Sequence, residues 1–213
     1  MKNADAVIFL NGKIPFNLLE IYNIKENCII CADGAANMLT VHKITPNIII
    51  GDLDSVRKDV LKKYRKKGVE IRKIDEQETT DFEKALLYCV ENNLKNLLIF
   101  GASSKRQDHT LNNYSVLKRY CRILNIKIID LKFEIFFIDR SISFDYPKGK
   151  SISLMPMPVA KGITTKGLKY KLADEDLEFG IREGTLNTAS GKSVSIEFKE
   201  GDLLLFKRHF LKS

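Results

Sequence analysis

An apolar run that leads directly into two carboxylates is the feature of the sequence with the clearest chemical meaning. The segment I-I-I-G-D-L-D-S places Asp52 and Asp54 just after the isoleucines at 48–50. Magnesium binds carboxylate oxygens and waters, and substrate phosphate oxygens commonly complete its coordination. The same residues could simply form a turn in which Ser55 caps the next helix. The pattern favours a magnesium site and leaves the turn as the alternative.

Further acids and polar side chains follow other apolar runs in the first half of the chain. Each run ends where a parallel strand would present its carboxyl end, the edge at which open α/β sheets bind ligands. These side chains belong to Asp33, Gln77, Glu78, Thr80, Asp81, Arg106, Asp108 and His109. Asp33 and Asp81 strengthen the metal interpretation of the Asp-x-Asp pair, because clustered carboxylates repel one another unless a cation lies among them.

Several of these residues also have a purely structural interpretation. Asp81 suits the first turn of a helix, where a carboxylate interacts favourably with the helix dipole. Lys84, one turn later, could pair with Asp81 or reach a phosphate, and Arg106 could pair with Asp108 at the surface. The sequence contains no G-x-x-x-x-G-K-[ST] loop, so a nucleotide would not be held in P-loop fashion. Carboxylate–metal chemistry on a phosphorylated substrate is the interpretation that remains.

Alternating strand and helix patterns organise the first half. Apolar runs predict strands at 6–10, 27–33, 47–52, 69–74 and 96–102, and helical periodicity predicts helices near 35–42, 56–67, 81–92 and 108–123. A T-x-x-E capping box, Thr80 and Glu83, marks the start of the third helix. Its predicted apolar face consists of Phe82, Ala85, Leu86, Cys89 and Val90. This alternation predicts a mostly parallel sheet with helices on both faces.

The second half has a different pattern. Strand-like segments at 126–139, 150–157, 162–172, 177–187, 192–198 and 202–208 are separated by Gly, Pro, Asn or Asp, without a convincing helix. This pattern predicts an all-β sandwich. We therefore expect two domains, an α/β domain over residues 1–128 and a β-sandwich over residues 129–213.

Composition and charge exclude several classes of protein. The net charge of +8 is concentrated in the predicted helix near 56–67 and the residues after it, where it is typical of a solvated helix face. No nucleic-acid-binding motif accompanies it, so no nucleic-acid partner is expected. No apolar stretch approaches the roughly 18 residues that span a bilayer, and no credible signal peptide is present, so we expect a cytoplasmic location and no membrane partner. The four cysteines are predicted to be buried, reduced thiols.

Six segments, in order, resemble the motifs of the thiamine pyrophosphokinase family. They are CADGAAN, IIIGDLDS, QETTDFEKAL, KRQDHTLNN, GITTKGLKYKL and GTLNTAS. The resemblance implies an α/β domain joined to a β-sandwich, and a homodimer with its active sites between the subunits. It also implies Mg²⁺-dependent transfer of pyrophosphate from ATP to thiamine, with AMP as the second product. The first domain would then bind ATP and Mg²⁺, and the second would bind thiamine.

Motif position implies roles for individual residues. The metal-site acids would be Asp33, Asp52, Asp54 and Asp81, of which Asp52, Asp54 and Asp81 would be catalytic. The residues that bind ATP would be Asp33, Gln77, Thr80, Asp81, Lys84, Arg106 and Asp108. Asn187 would hold thiamine, and Tyr170 is a cation–π neighbour for its positive ring. Whether Asp81 acts as a metal ligand or as a base stays open at this stage.

The sequence departs from the family pattern at three positions. Ala35 occupies the position of the family's second glycine, Glu78 that of an aspartate, and Leu186 that of the serine of an S-N segment. Because Leu186 lacks the serine hydroxyl that the expected vitamin pocket would contain, a pterin-like alcohol remains an alternative acceptor. Two further alternatives are a non-catalytic thiamine or nucleotide sensor and a Mg²⁺-dependent phosphohydrolase.

Overall fold

Six strands with parallel neighbours form the sheet of the N-terminal unit in the computed structural model, which describes residues 4–103 and 106–209. They are β1 (Ala6–Phe9), β2 (Cys28–Ala32), β3 (Ile48–Gly51), β4 (Glu70–Lys73), β5 (Asn96–Phe100) and β6 (Asn125–Ile129). Their order is β4-β3-β2-β1-β5-β6, and every neighbouring pair is parallel. The carboxyl ends of β2, β3 and β4 therefore lie side by side at one edge, as the sequence predicted.

Four helices connect these strands. They are α1 (Ala35–Val41), α2 (Lys58–Lys66), α3 (Asp81–Glu91) and α4 (Gln107–Tyr120). The four predicted helices are confirmed, although α4 ends about three residues earlier than its periodicity indicated. On α2 the side chains of Val60 and Tyr64 are buried while the lysines at 58, 62, 63 and 66 are exposed, which confirms the solvated basic face.

The start of α3 differs from the predicted capping box in one respect. Thr80 caps the helix, because its Oγ1 accepts a hydrogen bond of 3.4 Å from the Glu83 backbone N–H. The Glu83 carboxylate, however, accepts from Arg119 at 2.7 Å and from the Tyr120 hydroxyl at 3.1 Å, both at the end of α4. Only half of the box is therefore formed, and Glu83 ties α3 to α4. Val90, predicted to be on the apolar face, is exposed.

Seven strands make up the C-terminal unit, which begins at Lys132 where the first unit ends at Leu131. They are β7 (Phe133–Ile138), β8 (Ile142–Asp145), β9 (Ser151–Lys166), β10 (Glu175–Glu178), β11 (Gly184–Thr188), β12 (Ser193–Glu197) and β13 (Glu200–Arg208). The predicted domain boundary at 128/129 stays a prediction. The unit is β-rich, which confirms the predicted fold class.

The 16-residue strand β9 organises this unit. Its first half pairs with β11 and β13, its middle with β10, and its last three residues with β12, so that two sheets share it. The predicted strands at 150–157 and 162–172 are thus one strand that ends at Lys166. The predicted strand at 126–139 is divided into β6 and β7, the predicted strand at 177–187 is divided into β10 and β11, and β8 was not predicted. A core cluster that includes Ile152, Leu154, Leu203 and Leu205 packs around the fully buried Tyr146.

All four cysteines are free thiols, as predicted, but Cys28 and Cys121 are only partly buried, contrary to expectation. Cys31 and Cys89 are buried, and burial raises the pKa of both thiols. Cys28 and Cys31 lie three residues apart on β2, where an odd spacing places side chains on opposite faces. Over residues 4–103 and 106–209, no helix has both the length and the apolar character needed to cross a membrane.

Candidate active site

Three carboxylates from separate parts of the chain meet at the carboxyl edge of the parallel sheet. Asp33 follows β2, Asp52 follows β3, and Asp81 is the first residue of α3, which follows β4. One carboxylate oxygen of each lies within 4.8 Å of the others. Asp33 is only 5% exposed, whereas Asp52 and Asp81 are half-buried. We call these three residues the acid group.

A glycine between two of the strand ends allows this close approach. Gly51, with a φ of 150°, ends β3 directly before Asp52. A Cβ atom at this position would lie 2.8 Å from Asp81 Oδ1 and 2.9 Å from Asp33 Cβ, which is closer than real Cβ atoms come to other heavy atoms. The Asp33 backbone, with a φ of 39°, donates to the Ile50 carbonyl at 2.9 Å and fixes the end of β2 beside β3.

The acid group is electrostatically unfavourable without a positive charge. Burial, and then the charges of Asp33 and Asp52, raise the pKa of Asp81 to about 6. Burial also raises the pKa of Asp33. The pKa of Asp52 is lowered, chiefly because its carboxylate accepts a hydrogen bond from the Asp54 backbone N–H. Protonation or a bound cation would each relieve the repulsion.

One atom of the acid group favours a bound cation over protonation. Asp33 Oδ1 is buried and has no hydrogen-bond partner among the described residues. A buried, unpartnered carboxylate oxygen costs free energy, so such atoms call for a specific explanation. The group offers only carboxylate oxygens, which are the hard ligands that Mg²⁺ prefers. The residues present therefore fit a magnesium ion.

Asp54, the fourth predicted metal-site acid, is not in the acid group. Its carboxylate accepts a hydrogen bond of 2.8 Å from the Ser55 hydroxyl, and its backbone N–H donates to Asp52. Between the two acids, Leu53 has a φ of 66°, so the chain turns rather than continuing in an extended path. The turn that the sequence offered as an alternative is thus present together with the acid group, but Ser55 does not cap α2 as expected, because the N-cap residue of that helix is Arg57.

Three predicted ATP contacts lie in different surroundings, two of them between β4 and α3 and the third, Lys84, on α3 itself. The side chain of Gln77 is exposed, its amide donates to the Asp75 carbonyl at 3.4 Å, and its proximity to Asp52 contributes to the lowered pKa of that acid. Thr80 is the helix cap described above. Lys84 is only 3% exposed, and its ammonium group donates to the carbonyls of Glu76 at 2.8 Å and Ile74 at 3.2 Å.

Arg106 and Asp108 are exposed and paired with each other at the start of α4. The guanidinium group donates to both carboxylate oxygens, at 3.1 and 2.5 Å. This interaction lowers the pKa of Asp108 to about 2. The surface pair that the sequence offered as an alternative is therefore formed, and both side chains remain accessible from solvent.

The two predicted thiamine contacts lie in the C-terminal unit and touch each other. Asn187 is buried, and its side-chain amide accepts from the Tyr170 backbone N–H at 3.0 Å and donates to the Tyr170 carbonyl at 2.6 Å. Tyr170 is 59% exposed, and the ammonium of Lys169 lies 5.1 Å from the centroid of its ring. Leu186 is 88% exposed and has a φ of 58°.

Two residues of the site were not singled out from the sequence. Gly51 leaves room for the acids to approach one another, and the only available signal was its place directly before Asp-x-Asp. Glu76 closes the turn after β4, because its carboxylate accepts from the backbone N–H groups of Glu78 and Thr79 at 2.8 and 3.1 Å. It lies among other acids at 75–78, and nothing in the sequence distinguishes it from them.

Comparison with known proteins agrees with this architecture. Residues 19–129 match the family described as "Thiamin pyrophosphokinase, catalytic domain", and residues 138–203 match "Thiamin pyrophosphokinase, vitamin B1 binding domain". Thiamine pyrophosphokinase 1 of Arabidopsis thaliana is 31% identical over 231 residues, which cover 93% of this chain and 84% of that protein. Thiamine pyrophosphokinase 1 of Oryza sativa subsp. japonica is 29% identical over 94% of this chain and 86% of that protein.

Solved structures share the fold. The thiamine pyrophosphokinase of Bacillus subtilis superposes with a TM-score of 0.85 at 23% identity, over 97% of this chain and 99% of that chain. Yeast thiamin pyrophosphokinase gives 0.84 at 23% identity, over 99% of this chain and 88% of that chain. An α/β unit followed by a β-rich unit is thus a fold that this chain shares with these solved structures. The chain belongs to the thiamine pyrophosphokinase family.

The steric role of Gly51 can be tested by adding one methyl group. We expect Gly51→Ala to displace the carboxylates of Asp33 and Asp81 and to lower turnover by about a hundredfold, because small misplacements of a reacting group have effects of that size. Gly68→Ala is the matched control, since Gly68 also has a positive φ but a Cβ there would meet nothing within 4 Å. The role assigned to Gly51 is contradicted if both variants lose activity equally.

The raised pKa of Asp81 predicts a pH dependence of stability in chelator-treated protein. Folded Asp81 keeps its proton up to about pH 6, whereas the unfolded chain loses it near 3.8. The folded state thus binds more protons in this window, and stability falls as pH rises through it. We expect Asp81→Asn to melt at a higher temperature than the wild type above pH 6, with the difference shrinking towards pH 4. A difference independent of pH would contradict the placement of Asp81.

Proposed function

We propose that the acid group holds Mg²⁺ against the phosphates of ATP while the chain carries out the reaction of its family. In that reaction the hydroxyl oxygen of thiamine forms a bond to the β-phosphorus of ATP. The bond from that phosphorus to the α,β-bridging oxygen breaks, AMP leaves with this oxygen, and the hydroxyl proton is released. The products are thiamine diphosphate and AMP.

The transfer reaction requires the protein to position the two substrates and to neutralise charge on the phosphates. Transfers of this kind have little need of covalent help from side chains. Bound Mg²⁺ would neutralise negative charge on the phosphates as it develops. Asp33, Asp52 and Asp81 supply the ligands, and their fixed origin at three strand ends holds the site in one place. We assign Asp81 as a metal ligand rather than a base, because it shares the site with two other acids.

The observation that carries this proposal is the buried oxygen of Asp33. It has no hydrogen-bond partner among the described residues and lies with the oxygens of Asp52 and Asp81. A helix-dipole role would explain Asp81 alone, and a turn would explain Asp52 alone. Neither explains why a third acid, at the end of a different strand, is buried beside them with one carboxylate oxygen left unpartnered among the described residues.

The predicted nucleotide contacts stay part of the proposal. Gln77 and Thr80 are next to the acid group, because the side chain of Gln77 helps to lower the pKa of Asp52 and Thr80 directly precedes Asp81. Arg106 and Asp108 are supported by the family resemblance and by their exposure at the start of α4. In this arrangement residues 1–128 form the ATP- and Mg²⁺-binding catalytic domain.

Residues 129–213 would form the thiamine-binding domain. The match of residues 138–203 to a vitamin B1 binding domain supports this assignment. Tyr170 presents an exposed ring, which suits a positively charged ligand, since cations are attracted to aromatic faces. The amide of Asn187 is already bonded to the Tyr170 backbone, which supports an indirect role in which Asn187 fixes the position of that ring.

A release assay for AMP tests the proposed reaction. With ATP and Mg²⁺, we expect AMP to form when thiamine is present and to stop when the metal is chelated. Asp52→Asn should lower the rate at least about a hundredfold, on the scale of lost electrostatic stabilisation. Asp54→Asn should lower it less, because Asp54 lies outside the acid group. Asp59→Asn, which changes an exposed acid on α2, is the control and should leave the rate unchanged.

The same assay separates the alternatives. If AMP is released faster with a pterin-like alcohol than with thiamine, that alcohol and not thiamine is the acceptor. Exposed Leu186 is the feature that motivates this candidate. Release of phosphate or nucleotide without any acceptor would indicate a phosphohydrolase. Binding without turnover would indicate a sensor. An Asp54→Asn variant that loses as much activity as Asp52→Asn would restore Asp54 to the metal site.

We also propose that the chain works as a homodimer with active sites at the subunit interface. The family resemblance implies this, and an exposed apolar group at Phe179, Ile181 and Leu186, next to β10 and β11, supports it. Sedimentation equilibrium should give twice the chain mass of 24.3 kDa. Ile181→Asp should shift the protein towards monomers and lower turnover. A fully active monomer at the assay concentration would exclude the dimer as the working form.

A further inference from the structure

Lys84 is buried at the start of α3, and its ammonium group contacts both backbone carbonyls and carboxylates. It donates to the carbonyls of Ile74 and Glu76, in the segment that leaves β4. It also lies 3.8 Å from Glu76 Oε1 and 3.9 Å from Asp81 Oδ1. Since a buried ammonium is costly unless its charge and donors are satisfied, these contacts account for its position.

The segment that Lys84 contacts is also held in a turn by a second set of hydrogen bonds. The carboxylate of Glu76 accepts from the backbone N–H groups of Glu78 and Thr79, and the Thr79 hydroxyl also donates to it. Gln77 lies inside this closed turn and reaches Asp52. Lys84 fixes the backbone at residues 74 and 76, and Glu76 fixes it at 78 and 79.

We propose that Lys84 is a positioning residue of the active site rather than a ligand of the nucleotide. It anchors the turn at 74–79 to the first turns of α3, and in this way it sets where Gln77 and Thr80 stand relative to the acid group. The ammonium also balances part of the negative charge of Asp81. This inference rests on the proposed function, because it assumes that the turn at 74–79 faces the bound nucleotide.

Hydrogen–deuterium exchange of the nucleotide-free protein tests the anchoring directly. We expect Lys84→Met to speed exchange of the backbone amides at 76–79 by about tenfold or more, because local opening becomes easier when a tie is removed. Lys73→Met is the matched control, since it removes an exposed cation from the same region, one that pairs with exposed Asp75. Exchange in the control should match the wild type.

Kinetics separate positioning from a general loss of folded protein. We expect Lys84→Met to raise the KM for ATP about tenfold while the KM for thiamine changes less than about twofold. A purely structural defect would lower kcat through loss of active protein and leave both KM values unchanged. Glu76→Ala, which releases the same turn from an exposed side chain, should reproduce the effect if Lys84→Met does not fold.

The proposal fails if Lys84→Met weakens ATP binding while exchange at 76–79 stays at the wild-type rate. That result would make Lys84 a direct phosphate ligand. It also fails if Lys73→Met and Lys84→Met behave alike. Calorimetric titration measures the affinity for ATP in the presence of Mg²⁺ without any turnover. The effect of Lys84→Met on nucleotide binding can therefore be measured even if thiamine is not the acceptor.

Discussion

Repulsion among three carboxylates is the constraint around which the N-terminal unit is arranged. Neighbouring strands of a sheet lie about 4.8 Å apart, so acids that directly follow β2 and β3 are brought together by the backbone itself. The parallel order places the start of α3 at the same edge. Gly51 removes the one side chain that would keep Asp33 and Asp81 apart. The fold thus imposes a negative charge density that a bound divalent cation would offset.

The same constraint explains why the surroundings of the acid group are rigid. Ligands that repel one another hold a useful geometry only if their backbones cannot move apart. Asp33 is fixed through its N–H to the Ile50 carbonyl, and Asp81 begins a helix capped by Thr80. Glu83, one turn into α3, ties that helix to the end of α4 through Arg119. The contacts of Lys84 add a further tie, between α3 and the segment that follows β4.

The sequence predicted the N-terminal unit well because its signals are local. Each strand there is a short apolar run and each helix has its own periodicity, so the alternation and the convergence at one edge could be read directly. The C-terminal unit was divided wrongly because β9 is continuous through Pro156, Pro158 and Gly162, residues that ordinarily mark breaks. Pairing with four other strands keeps this segment extended, and that pairing depends on residues distant in sequence.

Within the site, sequence patterns identified the residue types but could not say which partner each would have. Asp52 and Asp54 look equivalent in G-D-L-D-S, yet the left-handed backbone of Leu53 separates them, and only Asp52 joins the acid group. Glu83 fits a capping box, but Arg119 offers its carboxylate a charged partner, which is worth more than one further backbone hydrogen bond. In both cases a tertiary contact or a single backbone dihedral decides between two locally acceptable arrangements.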